Sequence, residues 1–315
     1  MYQVITVGSV LVDVFVHAPS FESKSTGDKH LICQQLGEKI ELDGFQVTTG
    51  GGAGNTAVGL TRLGFKTAVI SETGRDDFSF LIINDLKREQ VATELLILEK
   101  KEQTGGSVIL IGADGQRTVL VHRGAAAMLD PYDVPLFHTS QAGWIHLSSI
   151  GGNQHTLEKI FNIVRRNRET RLSWNPGNKE LELIKSGNLS LDLITGDVLF
   201  VNQEEWNSVA AQQTTLTQKF SQVVVTNGRR GGQIWIKGKP AWEYQSLAVK
   251  TVDETGAGDA FCAGYIGGQL LYKSPQDSAA WGVANAASVV KFYGAKLGLL
   301  DRERISLSIS TQTRL

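Results

Sequence analysis

The sequence predicts an α/β fold in which helices cover both faces of a mostly parallel sheet, with a small accessory sheet beside it. Short β-branched runs alternate with amphipathic stretches of helical period along most of the chain, which is typical of parallel sheets. Two segments, 11–48 and 105–123, interrupt this alternation and contain no convincing helix. Close to the carboxyl end, a glycine-rich turn leads into a strongly apolar helix.

The elements of the main sheet follow from these patterns. Strands are predicted where short runs are rich in β-branched residues, at 4–7, 67–71, 144–147, 172–174, 198–201 and 223–226. Helices are predicted at 56–63, 78–89, 156–168, 204–211, 257–271 and 276–293. In the accessory segments, SVILIGADGQRTVLV predicts a hairpin with its turn at Asp114-Gly115. Without a repeat or linker, we expect one domain over 1–300 and a peripheral tail over 301–315.

Composition limits the class of protein and its partners. With 315 residues, of which 41% are hydrophobic, the chain can bury a sizeable core. The 31 basic and 32 acidic residues nearly cancel, so no global field favours nucleic acid or an anionic membrane, and any anion site must be local. Cys33 and Cys262 are far apart, and the apolar amino-terminal run lacks a basic segment. We therefore expect a cytoplasmic protein without a disulfide framework.

The strongest local signal is the stretch KTVDETGAGDAFCAGYIGGQLL. Gly256, Ala257 and Gly258 lead into the apolar helix, whose first amides and positive dipole end could receive a phosphate. Asp259 in the first turn would repel a resting phosphate, which suggests that it faces the phosphate's acceptor. It could then take the proton from an attacking hydroxyl while the amides stabilise the transferred phosphoryl group. Alternatively, Asp259 only interacts favourably with the helix dipole.

A second glycine run, VTTGGGAGNTAVGLTRLG, precedes the helix predicted at 56–63. Gly51 and Gly52 would let a ligand lie against the backbone, and Asn55 offers the donor and acceptor that a polyol needs. Asn55 could instead be the helix N-cap. Residues 52–57 also fit the dinucleotide fingerprint GxGxxA, with Glu72 at the spacing of a ribose-binding acid. That fingerprint normally opens a domain, whereas here a strand and a helix-poor segment come first.

Together these motifs resemble the two signatures of the PfkB, or ribokinase-like, carbohydrate kinases. Residues 253–259, DETGAGD, are similar to the second signature D-T-T-G-A-G-D. The departure is Glu254, which leaves the base and the anion hole intact but could alter local cation binding. The glycine pair, Asn55 and the Leu-Gly pair at 63–64 resemble the first signature.

Looser matches follow in the family's order. They are Asn202 and Glu205 as N-x-x-E, Thr226, Gly228 and Gly231 as T-x-G-x-x-G, and Asn285 followed by Gly294-Ala295. Arg229 and Arg230 lie between the two glycines of the T-x-G-x-x-G match, and they could contact phosphate or be solvated turn residues. The resemblance spans residues 1 to about 300.

The resemblance implies a three-layer α/β/α fold whose two helix-poor segments form a β lid over the substrate. It implies transfer of the γ-phosphate of ATP to a sugar or nucleoside hydroxyl, with Asp259 as base and Gly256, Ala257 and Gly258 as the anion hole. The sugar pocket would comprise Asp13, Gly51, Gly52 and Asn55. The nucleotide side would comprise Asn202, Glu205, Thr226, Gly228, Gly231 and Asn285, with Glu205 acting on Mg²⁺ through water. A monovalent cation such as K⁺ and a homodimer through the lid are further candidates.

The acceptor stays open at this point. Basic residues in the lid segments are scattered, which favours a free sugar or nucleoside over a sugar phosphate. They are Lys24, Lys29, Lys39, Arg117 and Arg123. Two other classes remain: an NAD-dependent dehydrogenase that uses residues 52–57, and a non-catalytic regulator that binds sugar or nucleotide without turnover. We expect no nucleic-acid or membrane partner.

Overall fold

The computed structural model describes residues 1–21, 23–26, 29–99, 101–112 and 117–312, with the backbone alone at 23–26, 29–30 and 310–312. The strands are β1 (Val4–Val7), β2 (Leu11–His17), β3 (Ser23–Thr26), β4 (Lys29–Ile32), β5 (Gly44–Gly50), β6 (Thr67–Thr73), β7 (Leu96–Leu98), β8 (Gly106–Ile111), β9 (Arg117–His122), β10 (Trp144–Leu147), β11 (Arg171–Trp174), β12 (Gly196–Asn202), β13 (Phe220–Thr226), β14 (Gly232–Ile236) and β15 (Lys239–Tyr244).

The α-helices lie between these strands and after them. They are α1 (Gly52–Arg62), α2 (Asp77–Arg88), α3 (Leu136–Thr139), α4 (Gln154–Arg166), α5 (Asn178–Ser186), α6 (Gln203–Ser208), α7 (Gln213–Lys219), α8 (Ala257–Leu270), α9 (Pro275–Val289) and α10 (Arg302–Gln312). No helix in the described part of the chain is both long and apolar enough to cross a membrane.

The main sheet has nine strands in the order β15-β14-β13-β12-β11-β10-β1-β6-β7. Pairings from β13 through to β7 are parallel, and β14 and β15 add an antiparallel hairpin at one edge. The carboxyl ends of the parallel strands therefore meet along one edge of the sheet, which is where open α/β sheets bind ligands.

Helices cover both faces of this sheet because successive strand residues point to opposite sides. Ile5 and Val7 of β1 lie in a core with residues of α4 and α5. Val4 faces the other way and packs with residues of α1, α8 and α9. The predicted three-layer α/β/α arrangement is confirmed.

A separate four-stranded sheet has the order β5-β2-β8-β9. It is built from the two helix-poor segments, as predicted, and we call it the lid sheet. β2 pairs antiparallel with β5 and parallel with β8, which pairs antiparallel with β9. The predicted turn at 114–115 falls outside the described residues.

Helix α8 contains glycines because it packs closely against α9. A Cβ on Gly264 would lie 2.5 Å from the carbonyl oxygen of Trp281, and one on Gly268 would lie 2.8 Å from Oγ of Ser278. Nearly the whole helix is buried, as its apolar sequence predicts.

Several elements were not predicted from the sequence, among them the short helices α3, α5 and α7, the carboxyl-terminal helix α10 and the strands β7, β14 and β15. The helix predicted at 204–211 ends at Ser208. The expected peripheral tail contains α10, in which Ile305 is fully buried and Arg302 donates to the carbonyl oxygen of Leu63 at 2.8 Å. This segment therefore also contributes to the core.

Candidate active site

The predicted catalytic residue Asp259 lies in the first turn of α8, next to the start of α1. Nδ2 of Asn55 donates to Oδ2 of Asp259 at 2.8 Å. Burial raises the pKa of Asp259 to about 6, the hydrogen bond from Asn55 lowers it, and the nearby charge of Asp13 raises it. The structure thus brings three predicted site residues together. At neutral pH Asp259 is ionised, with a pKa suited to a general base.

The turn before α8 is shaped by Gly256. This residue is the N-cap of the helix, with a left-handed φ of 74° that favours glycine. A Cβ there would also lie 2.2 Å from Cβ of Ala295. The next glycine, Gly258, is exposed and a Cβ on it would meet nothing within 4 Å. A ligand can therefore approach this helix end closely.

The amides of this turn differ in their availability. The amide of Ala257 already donates to the carbonyl oxygen of Glu254 at 3.2 Å. First-turn amides such as those of Gly258 and Asp259 have no acceptor within their own helix. An anion at this position would therefore meet Gly258 and Asp259 more directly than Ala257.

Gly51 and Gly52 lie where α1 approaches β1 and α8. Gly51 has a φ of 93°, and a Cβ on it would lie 2.4 Å from the carbonyl oxygen of Ser9. A Cβ on Gly52 would lie 3.6 Å from Oδ1 of Asp259. The helix starts at Gly52 with Gly51 as N-cap, so the interpretation of Asn55 as the N-cap is wrong. Asn55 instead contacts Asp259 from inside the helix.

Asp13 lies on β2 of the lid sheet and is buried. The hydroxyl of Ser107, the register partner of Asp13 on β8, donates to Oδ1 of Asp13. Burial raises the pKa of Asp13, while the bond from Ser107 and the charge of Lys296 lower it. Two carboxylates, one on the lid sheet and one on α8, therefore lie close enough to influence each other.

Asn202 and Glu205 form a capping box at the start of α6. Oδ1 of Asn202 accepts from the amide of Glu205 at 2.9 Å, and Oε2 of Glu205 accepts from the amide of Asn202 at 2.8 Å. Burial raises the pKa of Glu205. Burial also raises the pKa of the Cys262 thiol, and the charges of Asp259 and Glu205 raise it further. The Glu205 carboxylate therefore lies close enough to Cys262, three residues after Asp259 on α8, for its charge to act there.

Thr226, Gly228 and Gly231, three further residues predicted to bind the nucleotide, lie at the end of β13 and in the loop after it. Thr226 ends β13, Gly228 faces open space, and a Cβ on Gly231 would lie 1.9 Å from the carbonyl oxygen of Tyr244. Nη2 of Arg229 lies 3.8 Å from Oε1 of Glu254, and both side chains are exposed. Glu254, the departure from the signature, thus faces this loop.

The structure does not bring Asn285 to the surface of the site. Its side chain is fully buried. Nδ2 donates to the carbonyl oxygen of Ala260 at 2.8 Å, and Oδ1 accepts from the amide of Leu300 at 2.9 Å. Because both ends of the amide are bonded to backbone groups, we leave Asn285 out of the nucleotide site and assign it a role in joining α8, α9 and the chain at 300.

The dinucleotide interpretation of residues 52–57 does not fit the structure. The strand before α1 is β5, which pairs antiparallel with β2 in the lid sheet, whereas the fingerprint follows a strand of the parallel sheet. Glu72 is buried. Burial and a hydrogen bond with Asp133 raise the pKa of Glu72 to about 9. Glu72 is therefore protonated at neutral pH and is not positioned as a ribose-binding carboxylate.

Sequence reasoning missed several serines that support the site. Oγ of Ser9 accepts from the amide of Gly52 at 3.2 Å, and a Cβ on Gly52 would lie 2.9 Å from Oγ of Ser148. Ser148 directly follows β10 and Ser9 follows β1, so their place after predicted parallel strands was an available signal. Ser107 had no such signal, because its partnership with Asp13 depends on lid-sheet register.

Comparison with known proteins identifies the family. The model of the pfkB family of carbohydrate kinases matches residues 24–302. The chain therefore belongs to the pfkB family and is a carbohydrate kinase, as its sequence motifs predicted. Among curated relatives, an uncharacterized sugar kinase from Archaeoglobus fulgidus is 28% identical over 250 residues, covering 77% of this chain and 98% of that protein. A fructokinase from Klebsiella pneumoniae is also 28% identical over 250 residues, covering 73% and 80%.

Solved structures show the same fold. A ribokinase from Arabidopsis thaliana, complexed with ribose and ATP, superposes with a TM-score of 0.79 at 22% sequence identity, covering 98% of each chain. The predicted ribokinase-like fold is thereby confirmed.

Proposed function

We propose that this chain transfers the γ-phosphate of ATP to a hydroxyl group of a free sugar or nucleoside, with Asp259 as the general base. The observation that carries the proposal is the position of Asp259. Its carboxylate lies in the first turn of α8, beside the exposed Gly258, and its pKa is about 6. A proton acceptor thus lies next to amides that can stabilise a phosphoryl group.

The proposed chemistry is an in-line displacement at the γ-phosphorus. Asp259 takes the proton of the acceptor hydroxyl, the acceptor oxygen forms a bond to phosphorus, and the bond to the β-phosphate oxygen breaks to release ADP. Asn55 orients the Asp259 carboxylate through the 2.8 Å hydrogen bond. The amides of Gly258 and Asp259 stabilise negative charge on the transferred group.

We assign Mg²⁺ to the triphosphate, where it would neutralise charge. In the described residues, no three His, Cys, Asp or Glu side chains are grouped as a ready-made metal site. Glu205 fits an indirect role because its charge acts on Cys262, three residues after Asp259 on α8, and one of its carboxylate oxygens is used in the capping box. Magnesium commonly keeps several waters while it bridges phosphates. Removing the metal with EDTA should abolish turnover, and added magnesium should restore it.

An uncharged acceptor suits the charges of the sugar pocket. Asp13 and Asp259 are both acidic, and their mutual repulsion contributes to the raised pKa of Asp259. Among the described side chains, two cations near this region are already paired, Lys296 with Asp85 and Arg117 with Asp253. A phosphate monoester on the acceptor would therefore meet two carboxylates, while both of these described cations already have acidic partners.

A substrate panel tests the proposal. Purified protein would be incubated with Mg·ATP and, separately, with free sugars, nucleosides and sugar phosphates, and ADP release would be measured. We expect turnover with a free sugar or nucleoside and little with sugar phosphates. Turnover restricted to sugar phosphates would contradict the substrate class. Binding of sugar and ATP without turnover of any acceptor would favour the non-catalytic regulator.

We also propose that lid sheets of two copies pair. Val47, Val14, Val108 and Leu120 form one cross-strand row over all four strands of the lid sheet, and Val47, Val108 and Leu120 are exposed. Burying such a row against a second copy would remove apolar surface from water. Light scattering should give the mass of a dimer for the wild type and of a monomer for Leu120→Asp. K⁺ dependence and a cytoplasmic location stay predictions.

A further inference from the structure

The carboxylate of Asp253 joins three segments that are far apart in sequence. Its Oδ1 accepts from the amide of Thr255 at 3.0 Å and from the hydroxyl of Thr255 at 2.7 Å. Its Oδ2 accepts from the amide of Gly294 at 2.9 Å. Nη1 of Arg117, which begins β9 of the lid sheet, donates to Oδ1 at 2.7 Å. One carboxylate therefore holds the turn at 253–256, the turn at 294 and the lid sheet.

These bonds surround the glycine that sets the start of α8. Thr255 directly precedes Gly256, and Ala295 directly follows Gly294. Ala295 also packs against Gly256, because a Cβ on Gly256 would lie 2.2 Å from that of Ala295. Asp253 thus fixes the chain on both sides of Gly256. A shift of this carboxylate would move the first-turn amides and Asp259.

The ion pair is asymmetric in exposure. The side chain of Asp253 is 3% exposed, whereas that of Arg117 is 34% exposed. The neutral donors from Thr255 and Gly294 satisfy hydrogen bonds but supply no positive charge. A buried carboxylate that loses its cationic partner is strongly destabilised. Asp253 is therefore best stabilised when the lid sheet brings Arg117 to it.

We propose that Arg117 is a positioning residue that couples the lid sheet to the phosphate-binding turn. When the lid sheet lies over the acceptor, the guanidinium of Arg117 compensates Asp253, which then holds residues 253–256 in the geometry that receives the transferred phosphoryl group. Covering the acceptor and ordering the amides of α8 are thus linked. The catalytic part of this inference rests on the proposed kinase function, while the mechanical link between lid and turn does not.

Hydrogen exchange tests the mechanical link without reference to activity. Arg117→Ala should speed exchange at residues 255–260 and at 118–122 together, relative to the wild type. Arg123→Ala is the matched control, because Arg123 is an exposed arginine just beyond the other end of β9. We expect that variant to exchange like the wild type at residues 255–260. Equal exchange there in both alanine variants would overturn the proposal.

Kinetics test the positioning role with the acceptor found by the substrate panel. Arg117→Ala should lower kcat by about 10²-fold, because a small misplacement of reacting groups is costly, with a smaller change in KM for ATP. Guanidinium at concentrations too low to unfold the protein should restore part of the kcat of Arg117→Ala. A larger effect on KM for the acceptor than on kcat, without rescue, would mean that Arg117 binds the acceptor directly and would overturn the proposal.

A double-mutant comparison guards against loss of folding. Asp253→Asn removes the charge that Arg117 compensates, so adding Arg117→Ala to it should change kcat and exchange little further. If Arg117→Ala causes the same loss in both backgrounds, the two residues act independently and the proposal fails. A wild type inactive on every acceptor would contradict the kinase function, and the exchange data would still decide whether lid and turn are coupled.

Discussion

The side-chain nitrogen Nδ2 of Asn55 lies 2.8 Å from Oδ2 of Asp259, although 204 positions separate the two residues in sequence. This bond links the two glycine-rich motifs, since Asn55 is in the first helix of the chain and Asp259 begins α8. It orients the carboxylate and lowers its pKa against the effects of burial and of Asp13. In this structure the side-chain amide of Asn55 is therefore hydrogen-bonded to the proposed base, Asp259.

The first prediction concerns the pH dependence of the reaction. A general base must be ionised, so kcat should fall as pH drops through about 6, the pKa of Asp259. Asn55→Ala removes the hydrogen bond that lowers this pKa, so the acid limb of the profile should move to higher pH. Asn84→Ala, an exposed asparagine on α2, is the control and should leave the limb in place. An unmoved limb in Asn55→Ala would contradict the role of this bond.

The second prediction concerns Asp13 as a ligand of the acceptor. Asp13→Ala should weaken acceptor binding by about 1 to 3 kcal/mol, the cost of stranding a hydroxyl in a dry pocket. Ser107→Ala removes only the neighbour that donates to Asp13 and should have a smaller effect. Calorimetry with the acceptor and a thermal melt separate the two roles. Normal binding together with a much lower Tm would show that Asp13 is structural.

Sequence patterns predicted the parts of this molecule that depend on local chemistry. These parts are the apolar α8, the glycine turn before it and the alternation of parallel strands with helices. Each of them depends on residues that are adjacent in the sequence. The short helices α3, α5 and α7 were missed because they have too few turns to show a helical period. The strands β14 and β15, which form the hairpin at one edge of the main sheet, were missed because half-exposed or exposed strands lack a continuous apolar run.

The site was predictable as far as its motifs reach. Asp259, Gly51, Gly52 and Asn55 lie together as expected. The contacts that depend on tertiary register were not predictable, including Ser107 on Asp13 and Arg117 on Asp253, since each joins strands or turns from different parts of the chain. Asn285 matched a motif but does not line the site. The sequence alone does not distinguish a buried asparagine bonded to backbone groups from one that binds a ligand.

The third prediction concerns the lid sheet. Residues 29–48 and 105–123 should gain protection from hydrogen exchange when the acceptor is added, and more than when ATP alone is added, because we propose that the acceptor binds under the lid sheet. Hydrogen exchange measured in the free protein and with each ligand checks this. Equal and high protection in all states would mean that these segments belong to the rigid core.

The fourth prediction concerns the buried Glu72. Its pKa is about 9 in the folded protein, above the ordinary 4.5, so the folded state binds the extra proton between these values. The stabilisation from Glu72 is complete below about pH 4.5 and is lost as pH rises through about 9. The Tm of Glu72→Gln relative to wild type should therefore increase from about pH 6 to about pH 9. Glu303→Gln, which changes an exposed glutamate, is the control. A Tm difference between Glu72→Gln and the wild type that did not change with pH would contradict the protonated state of Glu72.

The central claim is that Asp259 removes the proton from the acceptor hydroxyl, and Asp259→Asn tests it most directly. The variant keeps the shape of the side chain and removes its basicity, so kcat should fall by about 10²- to 10⁴-fold while calorimetry shows ATP and acceptor still bound. Asp277→Asn, which changes an exposed acid in the first turn of α9, should retain wild-type kcat. Near-normal turnover by Asp259→Asn would contradict the assignment of the base.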